Sequence, residues 1–189
     1  MPHYDNELIR NSIVGNFESF GLLVTRYHKQ VFNLSYRLVG NKTEAEDMTQ
    51  ETFLNVYNNL SRFNQNLRFS SWVFRIATNV CFSHLRKKGR FTMLQFQEEI
   101  FFGPHIDDND PADLYEQKER CEQVRMAIRR LPVKYQLVLL LKYMNELSYK
   151  EIAETLQISV QDVETSLYRG RKMLAMMLSV NFKEKKCVK

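Results

Sequence analysis

The stretch that decides the fold of this 189-residue chain spans residues 147–174 and reads LSYKEIAETLQISVQDVETSLYRGRKML. Ser148 and Glu151 have the spacing of a capping box, in which the hydroxyl caps a helix and the carboxylate bonds back to the start of that helix. Ser159 and Asp162 repeat the same spacing. Two short capped helices this close together predict a helix-turn-helix. The apolar residues expected to be buried at helical spacing are Ile152, Ala153 and Leu156 in the first helix and Val160, Val163, Leu167 and Leu174 in the second. The second helix of such a motif enters the major groove of DNA.

The charges of the second helix conflict with that prediction at first sight. Its basic residues Arg169, Arg171 and Lys172 come late, whereas Asp162 and Glu164 lie in the first turn. Acidic residues in a first turn are favoured by the helix dipole, and Asp162 is also expected to complete its capping box. Glu164 stays open between a solvated position and a base contact, because a carboxylate can accept a hydrogen bond from cytosine N4. A helical hairpin that packs only within its own domain is the structural alternative.

The composition favours an all-α protein, because glycine and proline are scarce and good helix formers are abundant. Lysine and arginine exceed aspartate and glutamate by 27 to 22, and this mild excess allows a nucleic-acid partner without requiring one. We expect a cytoplasmic protein, because no signal peptide and no apolar run of membrane-spanning length is present. Cys81, Cys121 and Cys187 are scattered and odd in number, which indicates free thiols.

Three helices are predicted before residue 90. The first runs from about 16 to 39 and ends at Gly40, and its apolar residues predict one buried stripe: Phe17, Phe20, Val24, Tyr27, Val31, Leu34 and Leu38. The second begins at a capping box from Thr43 to Glu46 and ends near Leu60. Its predicted core positions are Ala45, Met48, Phe53, Val56, Tyr57 and Leu60. The third covers residues 71–88 and ends in a basic run.

Residues 97–122 differ in composition, because acidic residues outnumber basic ones and Gly103, Pro104 and Pro111 interrupt any long helix. This segment is predicted to be a linker, and helical periodicity resumes after it. The chain is therefore expected to form two small helical domains joined by an acidic tether. The expected parts are an N-terminal domain at 1–90, the linker at 91–121, a helix-turn-helix domain at 122–182 and a basic tail at 183–189.

Three blocks, in this order along the chain, carry a resemblance to a known family. They are NKTEAEDMTQETFLNVY at 41–57, FSSWVFRIATNVCFSHLRKK at 69–88 and the stretch at 147–174. The chain resembles the extracytoplasmic-function sigma factors of the sigma-70 family, which are two-domain initiation subunits of bacterial RNA polymerase. The resemblance implies a factor that directs core polymerase to promoters through the −35 duplex and the single-stranded −10 element. It also implies a stress response and an anti-sigma partner, which is often anchored in the membrane.

The resemblance assigns roles to residues that match the family's motifs. Those expected to bind the clamp helices of the largest catalytic subunit of core polymerase are Asp47, Gln50, Glu51, Phe53 and Leu54. Those expected at the −10 element are Arg62, Phe63, Asn64, Phe69, Trp72, Arg75, Asn79, Arg86, Lys87 and Lys88. Those expected at the −35 element are Lys142, Ser159, Gln161, Glu164, Thr165, Tyr168, Arg169, Arg171 and Lys172. Without the family, the polar face of the second helix would be taken for a solvated surface, and Trp72 fits a core position as well.

The chain departs from the family's pattern at several positions. Gln157 stands where the turn usually has glycine, and residues 161–164 read QDVE where Gly-Thr-Val-Lys/Arg is common. Ser166 replaces a common arginine, and Ser83 replaces the aspartate that usually follows the asparagine of the −10 helix. Fewer cations and an added acid predict weaker phosphate attraction at −35.

Other classes of function have little support in the sequence. Cys81 and His84 share a helix face, yet no second ligand pair at zinc spacing exists, so no metal or cofactor is expected. No catalytic motif or small-molecule site is recognised, and an enzyme is not expected. The remaining alternatives are a stand-alone helix-turn-helix regulator with an N-terminal sensing domain, and a scaffold that only binds polymerase.

Overall fold

The computed structural model describes residues 2–65, 67–88 and 123–186, with side chains at 5–65, 67–88 and 123–179. The predicted acidic linker, Cys121 and Cys187 therefore lie outside the described residues. Within them the all-α prediction is confirmed, since they form helices, turns and loops without a strand. No described helix is both long and apolar enough to cross a membrane. The helices are α1 Pro2–Ile13, α2 Phe17–Val39, α3 Lys42–Asn59, α4 Phe69–Lys87, α5 over residues 123–129, α6 Val133–Tyr143, α7 Tyr149–Leu156 and α8 Val160–Lys186.

The described residues divide into two compact units. The first unit contains α1 to α4 together with α7, and the second contains α5, α6 and α8. The expected domain plan instead groups α7 with α6 and α8 by their order in the sequence. The contacts that place α7 in the first unit are made with α4. A long-range contact of this kind leaves no periodic pattern in the sequence, and the domain boundaries stay a prediction.

Helix α1 was not predicted, although its core residues Leu8 and Ile9 are buried. It is tied to α2 by Asp5, whose carboxylate pairs with Arg26 and accepts a hydrogen bond of 2.7 Å from the Tyr27 hydroxyl. Burial, and then the hydrogen bond to Asp5, raise the pKa of Tyr27 far above its usual value.

The first unit is built on α2, α3 and α4. The small core cluster between them consists of Val39, Ala45, Met48, Val80, Cys81 and Leu85. Gly40 ends α2 in a left-handed conformation with φ 78°, as predicted. The predicted cap of α3 was wrong: Asn41 is the N-cap, and its side chain accepts a hydrogen bond from the Glu44 backbone N–H. Asparagine is as strong a cap as threonine, so the helix starts earlier and includes Thr43 in its first turn.

Two predicted core positions are also wrong. Phe17 is 72% exposed, and Tyr57 is 37% exposed. Phe17 is the first residue of α2, so the apolar stripe continues past the region that a neighbouring helix covers. The periodicity identified the correct face of α2 but not the point at which its burial ends.

The start of α4 contacts α7 within the first unit. A side-chain nitrogen of Arg68 lies 2.9 Å from a carboxylate oxygen of Glu151, and the Thr155 hydroxyl donates to the Ser71 carbonyl at 3.3 Å. Glu151 is buried, and its other carboxylate oxygen accepts a hydrogen bond from the Ser148 backbone N–H at 2.7 Å. The Glu151 carboxylate therefore serves both the cap of α7 and the contact with α4.

In the second unit α6 packs against α8. A side chain at Gly170 would place its Cβ 3.2 Å from atoms of both Leu139 and Tyr135, so the absence of a side chain permits this close packing. Val163 and Leu167 of α8 are buried as predicted. Val160 was predicted to be buried but is 42% exposed, because it is the first residue of its helix.

Candidate polymerase and DNA interfaces

The exposed face of α3 carries most of the residues expected to bind polymerase. Asp47, Gln50 and Glu51 are exposed, and Leu54 is 64% exposed. These positions follow helical spacing and form one stripe, with acidic groups toward the start of the helix. Phe53 must be corrected as a contact residue: it is only 8% exposed, and its ring lies parallel to that of His28 at 6.3 Å. It supports the helix from the core side.

The loop before α4 is supported by an aromatic cluster. Phe63 and Phe69 are buried, and their ring centres are 5.4 Å apart. Trp72 lies 5.0 Å from Phe63 and 5.7 Å from Phe69, and it is half-buried. The two phenylalanines therefore support the loop from inside the unit, and their expected contact with the −10 element stays a prediction. Burial among other rings leaves them without an open face for a base.

The polar residues of the same loop point outward. Arg62 and Asn64 are exposed, and their backbone is held by the 3-10 turn Leu60–Arg62 and by a bond from the Leu67 N–H to the Asn64 carbonyl. On α4, Asn79 is exposed and Arg75 is half-buried. This arrangement offers hydrogen-bond donors and positive charge around a loop with a rigid base, which suits an unpaired nucleotide.

The C-terminal end of α4 is basic, but one of its cations is already engaged. Arg86 and Lys87 are exposed, whereas Lys88 donates a hydrogen bond of 2.8 Å to the Glu44 carboxylate. The other oxygen of that carboxylate lies 2.7 Å from His84 Nε2. Desolvation raises the pKa of Glu44, but hydrogen bonds from Lys88 and His84 outweigh it and hold that pKa below its usual value. This cluster joins α3 to α4.

Cys81 lies one turn before His84 on α4 and is fully buried. Burial raises the pKa of the Cys81 thiol to about 11. A thiol with so high a pKa stays protonated at neutral pH, whereas metal ligation and nucleophilic attack require the thiolate. Cys81 is thus a small apolar member of the core of the first unit.

The two predicted capping boxes of the helix-turn-helix segment are found at the expected residues. The Ser148 hydroxyl accepts a hydrogen bond from the Glu151 N–H, and the Glu151 carboxylate accepts one from the Ser148 N–H. At α8, the Ser159 hydroxyl accepts from the Asp162 N–H at 3.0 Å and donates to the Asp162 carboxylate at 2.7 Å. Hydrogen bonds from Ser159 hold the pKa of Asp162 below its usual value. The acid that seemed unsuited to a DNA-binding helix is therefore the partner of Ser159 in the capping box of that helix.

The turn between α7 and α8 has a backbone that favours glycine. Gln157 ends α7 in a left-handed conformation with φ 56° and ψ 45°, and its N–H donates to the Ala153 carbonyl. This is the position at which the family usually has glycine, so the chain keeps the turn while using a residue that fits it less well.

The exposed face of α8 carries most of the residues expected at the −35 element. The exposed residues of that set are Ser159, Gln161, Glu164, Thr165, Tyr168, Arg169, Arg171 and Lys172, while Lys142 on α6 is half-buried. The guanidinium of Arg171 lies over the ring of Tyr143, 5.7 Å from its centre. Ser166, where the family often has arginine, is buried.

The chain matches the sequence models of two regions of one protein family. Residues 23–91 match sigma-70 region 2, and residues 121–174 match sigma-70 region 4. Curated relatives include the ECF RNA polymerase sigma factor SigW of Bacillus subtilis, 37% identical over 170 residues, which cover 87% of this chain and 91% of the relative. The ECF RNA polymerase sigma factor SigE of Mycolicibacterium smegmatis is 33% identical over 156 residues, which cover 82% of this chain and 60% of that protein.

Solved structures with the same fold are more distant in sequence. One is CnrH in complex with the cytosolic domain of CnrY, with a TM-score of 0.72 and 22% identity over 94% of this chain and 98% of that one. Another is the sigma factor RpoE in complex with the anti-sigma factor NepR from Bartonella quintana, with a TM-score of 0.67 and 20% identity over 86% of this chain and 98% of that one. The two matched regions and the relatives agree, and the chain belongs to the extracytoplasmic-function sigma factors of the sigma-70 family.

Proposed function

We propose that this sigma factor binds core RNA polymerase through α3, captures the −10 element with the loop before α4, and contacts the −35 element with α8. The observation that carries the proposal is the separation of charge within the first unit. The exposed stripe of α3 is acidic and apolar, whereas the end of α4 is basic. An acidic and apolar stripe suits a protein partner, because it would repel phosphates, and a basic helix end suits a nucleic-acid strand.

Promoter opening in this proposal needs no nucleotide hydrolysis. Arg62 and Asn64 would contact an unpaired base on the loop that Phe63 and Phe69 support, while Arg86 and Lys87 would hold the strand's phosphates. The binding energy of the captured base offsets the few kcal/mol needed to unpair and unstack it. The chain then acts as a binding subunit and not as an enzyme.

At the −35 element, α8 offers Arg169, Arg171 and Lys172 to phosphates and the exposed side chains near its start to bases. Asp162 and Glu164 reduce the positive charge of this helix, so duplex binding by the isolated chain should be weak. In a holoenzyme, polymerase and the −10 contacts hold the protein near the promoter, and α8 adds its part as an intramolecular contact. The weak charge of α8 is therefore compatible with promoter selection.

We further propose control by an anti-sigma factor, since the two similar solved structures are complexes, one with a protein named as an anti-sigma factor and one with a cytosolic domain. In this chain, an inhibitor would have to cover the α3 stripe or the DNA-binding residues until a stress signal removes it. The protein would act in the cytoplasm, where bacterial polymerase and promoter DNA are found.

Reconstituted transcription with purified core polymerase tests the proposal. Wild type should yield transcripts from a defined set of promoters, Asp47→Ala should lower binding to core, and Arg171→Ala should bind core yet yield fewer promoter-specific transcripts. Glu7→Ala and Lys29→Ala remove exposed charges elsewhere and should behave as wild type.

The alternatives predict different results in the same assay. Tight duplex binding by the chain alone, without any effect of core, would indicate a stand-alone regulator. Co-purification with core without promoter-specific transcripts would indicate a scaffold. Either result would overturn the proposed function.

A further inference from the structure

Helix α7 belongs to a different compact unit from the other helices of its sequence region. The match to sigma-70 region 4 covers residues 121–174 and therefore includes α6, α7 and most of the first half of α8. The structure places Leu147–Ile158 in the first unit, where α7 packs against α4. Helix α4 lies in the stretch that matches sigma-70 region 2. A helix of region 4 is thus docked on a helix of region 2.

Two polar contacts join α7 to the start of α4. We define the α7 latch as Arg68, Ser71, Glu151 and Thr155. A guanidinium nitrogen of Arg68 lies 2.9 Å from a Glu151 carboxylate oxygen, and the Thr155 hydroxyl donates to the Ser71 carbonyl at 3.3 Å. Glu151 is buried, whereas the Arg68 side chain is 71% exposed. Water competes for an exposed guanidinium, so this ion pair stabilises the docked state only weakly and can break without unfolding either helix.

Unfavourable backbone conformations flank α7 on both sides. Glu146 before α7 and Gln157 after it both have φ 56°, and they are the only non-glycine residues with positive φ in the described part of the chain. Side chains with a Cβ disfavour this left-handed region. Both residues lie next to a boundary between the two units. Residues at the ends of elements that absorb a change of φ and ψ act as hinges, so Glu146 and Gln157 are suited to let α7 move.

The docked state limits how far apart the expected DNA-binding residues can reach. Ser159, which is expected at the −35 element, follows Thr155 by four residues, and these span at most about 14 Å. Thr155 contacts Ser71, beside the loop expected at the −10 element. The names of the two elements place them about 25 base pairs apart, or about 85 Å at about 3.4 Å per base pair. So short a duplex does not fold back, because the persistence length is about 150 base pairs.

We infer that the α7 latch holds the free chain in a closed state, and that it opens before the factor contacts both promoter elements. The inference rests on the proposed function, which assigns the start of α4 to the −10 element and α8 to the −35 element. It adds a control of promoter binding that lies within the chain itself. Binding to core polymerase and promoter competes with the latch, so the latch reduces promoter binding by the free chain.

The distance between two spin labels on the full-length chain tests the inference. Cysteines replace Lys29 on α2 and Lys150 on α7, which are both exposed. Serines replace Cys121 and Cys187, while Cys81 is buried and stays unlabelled. With an intact latch, the free chain should give a short distance between the labels. The distance should lengthen when core polymerase and a promoter duplex are added.

Two variants weaken the latch in different ways. Arg68→Ala should raise the ratio of open to closed free chain by about two- to fivefold, the effect of losing an ion pair with one exposed partner. Its side chain makes no capping hydrogen bond at α4, so the fold should be kept. Glu151→Gln should act in the same direction, because glutamine still fits the capping box of α7 but carries no charge. Glu154→Gln is the matched control: it removes an acid of the same helix outside the latch and should keep the wild-type ratio.

The possible outcomes separate the inference from the proposed function. A long distance in the free wild-type chain would overturn the inference alone. So would a short distance that persists in a promoter complex which yields transcripts. Equal distance distributions in wild type, Arg68→Ala and Glu151→Gln would show that these residues do not form a latch. Absence of promoter-specific transcripts with core polymerase would overturn the proposed function, and the inference with it.

Discussion

Arg171 lies over the ring of Tyr143, with its guanidinium carbon 5.7 Å from the ring centre. Tyr143 is 57% exposed at the end of α6, and Arg171 is exposed on α8 within the same unit. A cation over an aromatic face is worth about 0.5–1 kcal/mol at an exposed site. The contact therefore restricts the positions that a long side chain would otherwise sample. Under the proposed function, it would hold the guanidinium in place before DNA binds.

Replacement of Tyr143 should consequently weaken promoter binding through Arg171. Tyr143→Ala should lower the affinity of the holoenzyme for a −35 duplex by about two- to fivefold, the equivalent of the lost cation–π energy. Tyr143→Phe keeps the ring face and should stay close to wild type. Titration of both variants with labelled promoter, at several salt concentrations, measures the effect. Equal losses in the two variants would indicate a role of the hydroxyl instead.

The cap formed by Ser159 and Asp162 predicts a dependence of stability on pH. Ser159→Ala should destabilise the second unit by about 1 kcal/mol. Because folding lowers the pKa of Asp162, its contribution is present above the unfolded pKa and is lost as the pH falls through the folded pKa. Urea unfolding of wild type and Asp162→Asn should therefore differ at neutral pH and converge in acid. A difference that is constant down to the lowest pH would contradict this role.

Glu164→Lys tests whether the acid of the DNA-facing helix reads a base. The change replaces a negative charge by a positive one on an exposed position, so holoenzyme binding to any duplex should tighten and depend more steeply on salt. If Glu164 reads a base, discrimination among promoters should fall at the same time. Competition between a cognate and a scrambled −35 duplex distinguishes the two effects. Unchanged discrimination and salt dependence would remove Glu164 from the DNA-binding surface.

Local sequence patterns were sufficient to predict the caps and ends of several helices. The boxes at Ser148 and Ser159 and the end of α2 at Gly40 depend on residues three or four positions apart, and the structure has them as predicted. The buried face of α2 was also predicted from the periodicity of its apolar residues. Burial at helix ends was predicted less well: Phe17 and Val160 belong to apolar stripes, yet both are exposed.

Tertiary contacts account for the remaining differences. Phe53, Phe63 and Phe69 fit the family's motifs as contact residues, but their burial depends on rings that come from other helices. The pairing of Arg68 with Glu151 joins residues far apart in the chain. Neither the burial of these rings nor this ion pair can be predicted from residue spacing, because spacing indicates only which residues of one helix share a face.

Gln157 replaces the glycine that is usual in the family, and its backbone strain can be measured as a loss of stability. A residue other than glycine in the left-handed region costs roughly 1–2 kcal/mol, and Gln157 has φ 56°. Gln157→Gly should stabilise the protein by up to about 1 kcal/mol, because the relief of strain exceeds the added entropy of the unfolded chain. Chemical denaturation measures the change. Ala175→Gly is the control: Ala175 is exposed in the interior of α8, and the change should destabilise by about 1 kcal/mol. A loss of stability in Gln157→Gly would contradict the strain at this turn.

The cluster of Glu44, His84 and Lys88 joins the start of α3 to the end of α4, and it predicts acid sensitivity of the first unit. The Glu44 carboxylate is only 16% exposed and has a partner on each oxygen. Glu44→Gln should cost about 1 kcal/mol, a value reduced from that of a fully buried charged hydrogen bond because the Lys88 side chain is 42% exposed to water. Since folding lowers the pKa of Glu44, the contribution is complete above the unfolded pKa of about 4.3 and disappears as the pH falls through the folded pKa. The free energies of unfolding of the variant and of wild type should thus differ near pH 6 and converge toward about pH 3.

Glu46→Gln is the control for this prediction, because it alters an exposed acid of the same helix and should leave the dependence of the unfolding free energy on pH unchanged. A Glu44→Gln curve that stays parallel to wild type across this range would show that the carboxylate charge does not stabilise the joint.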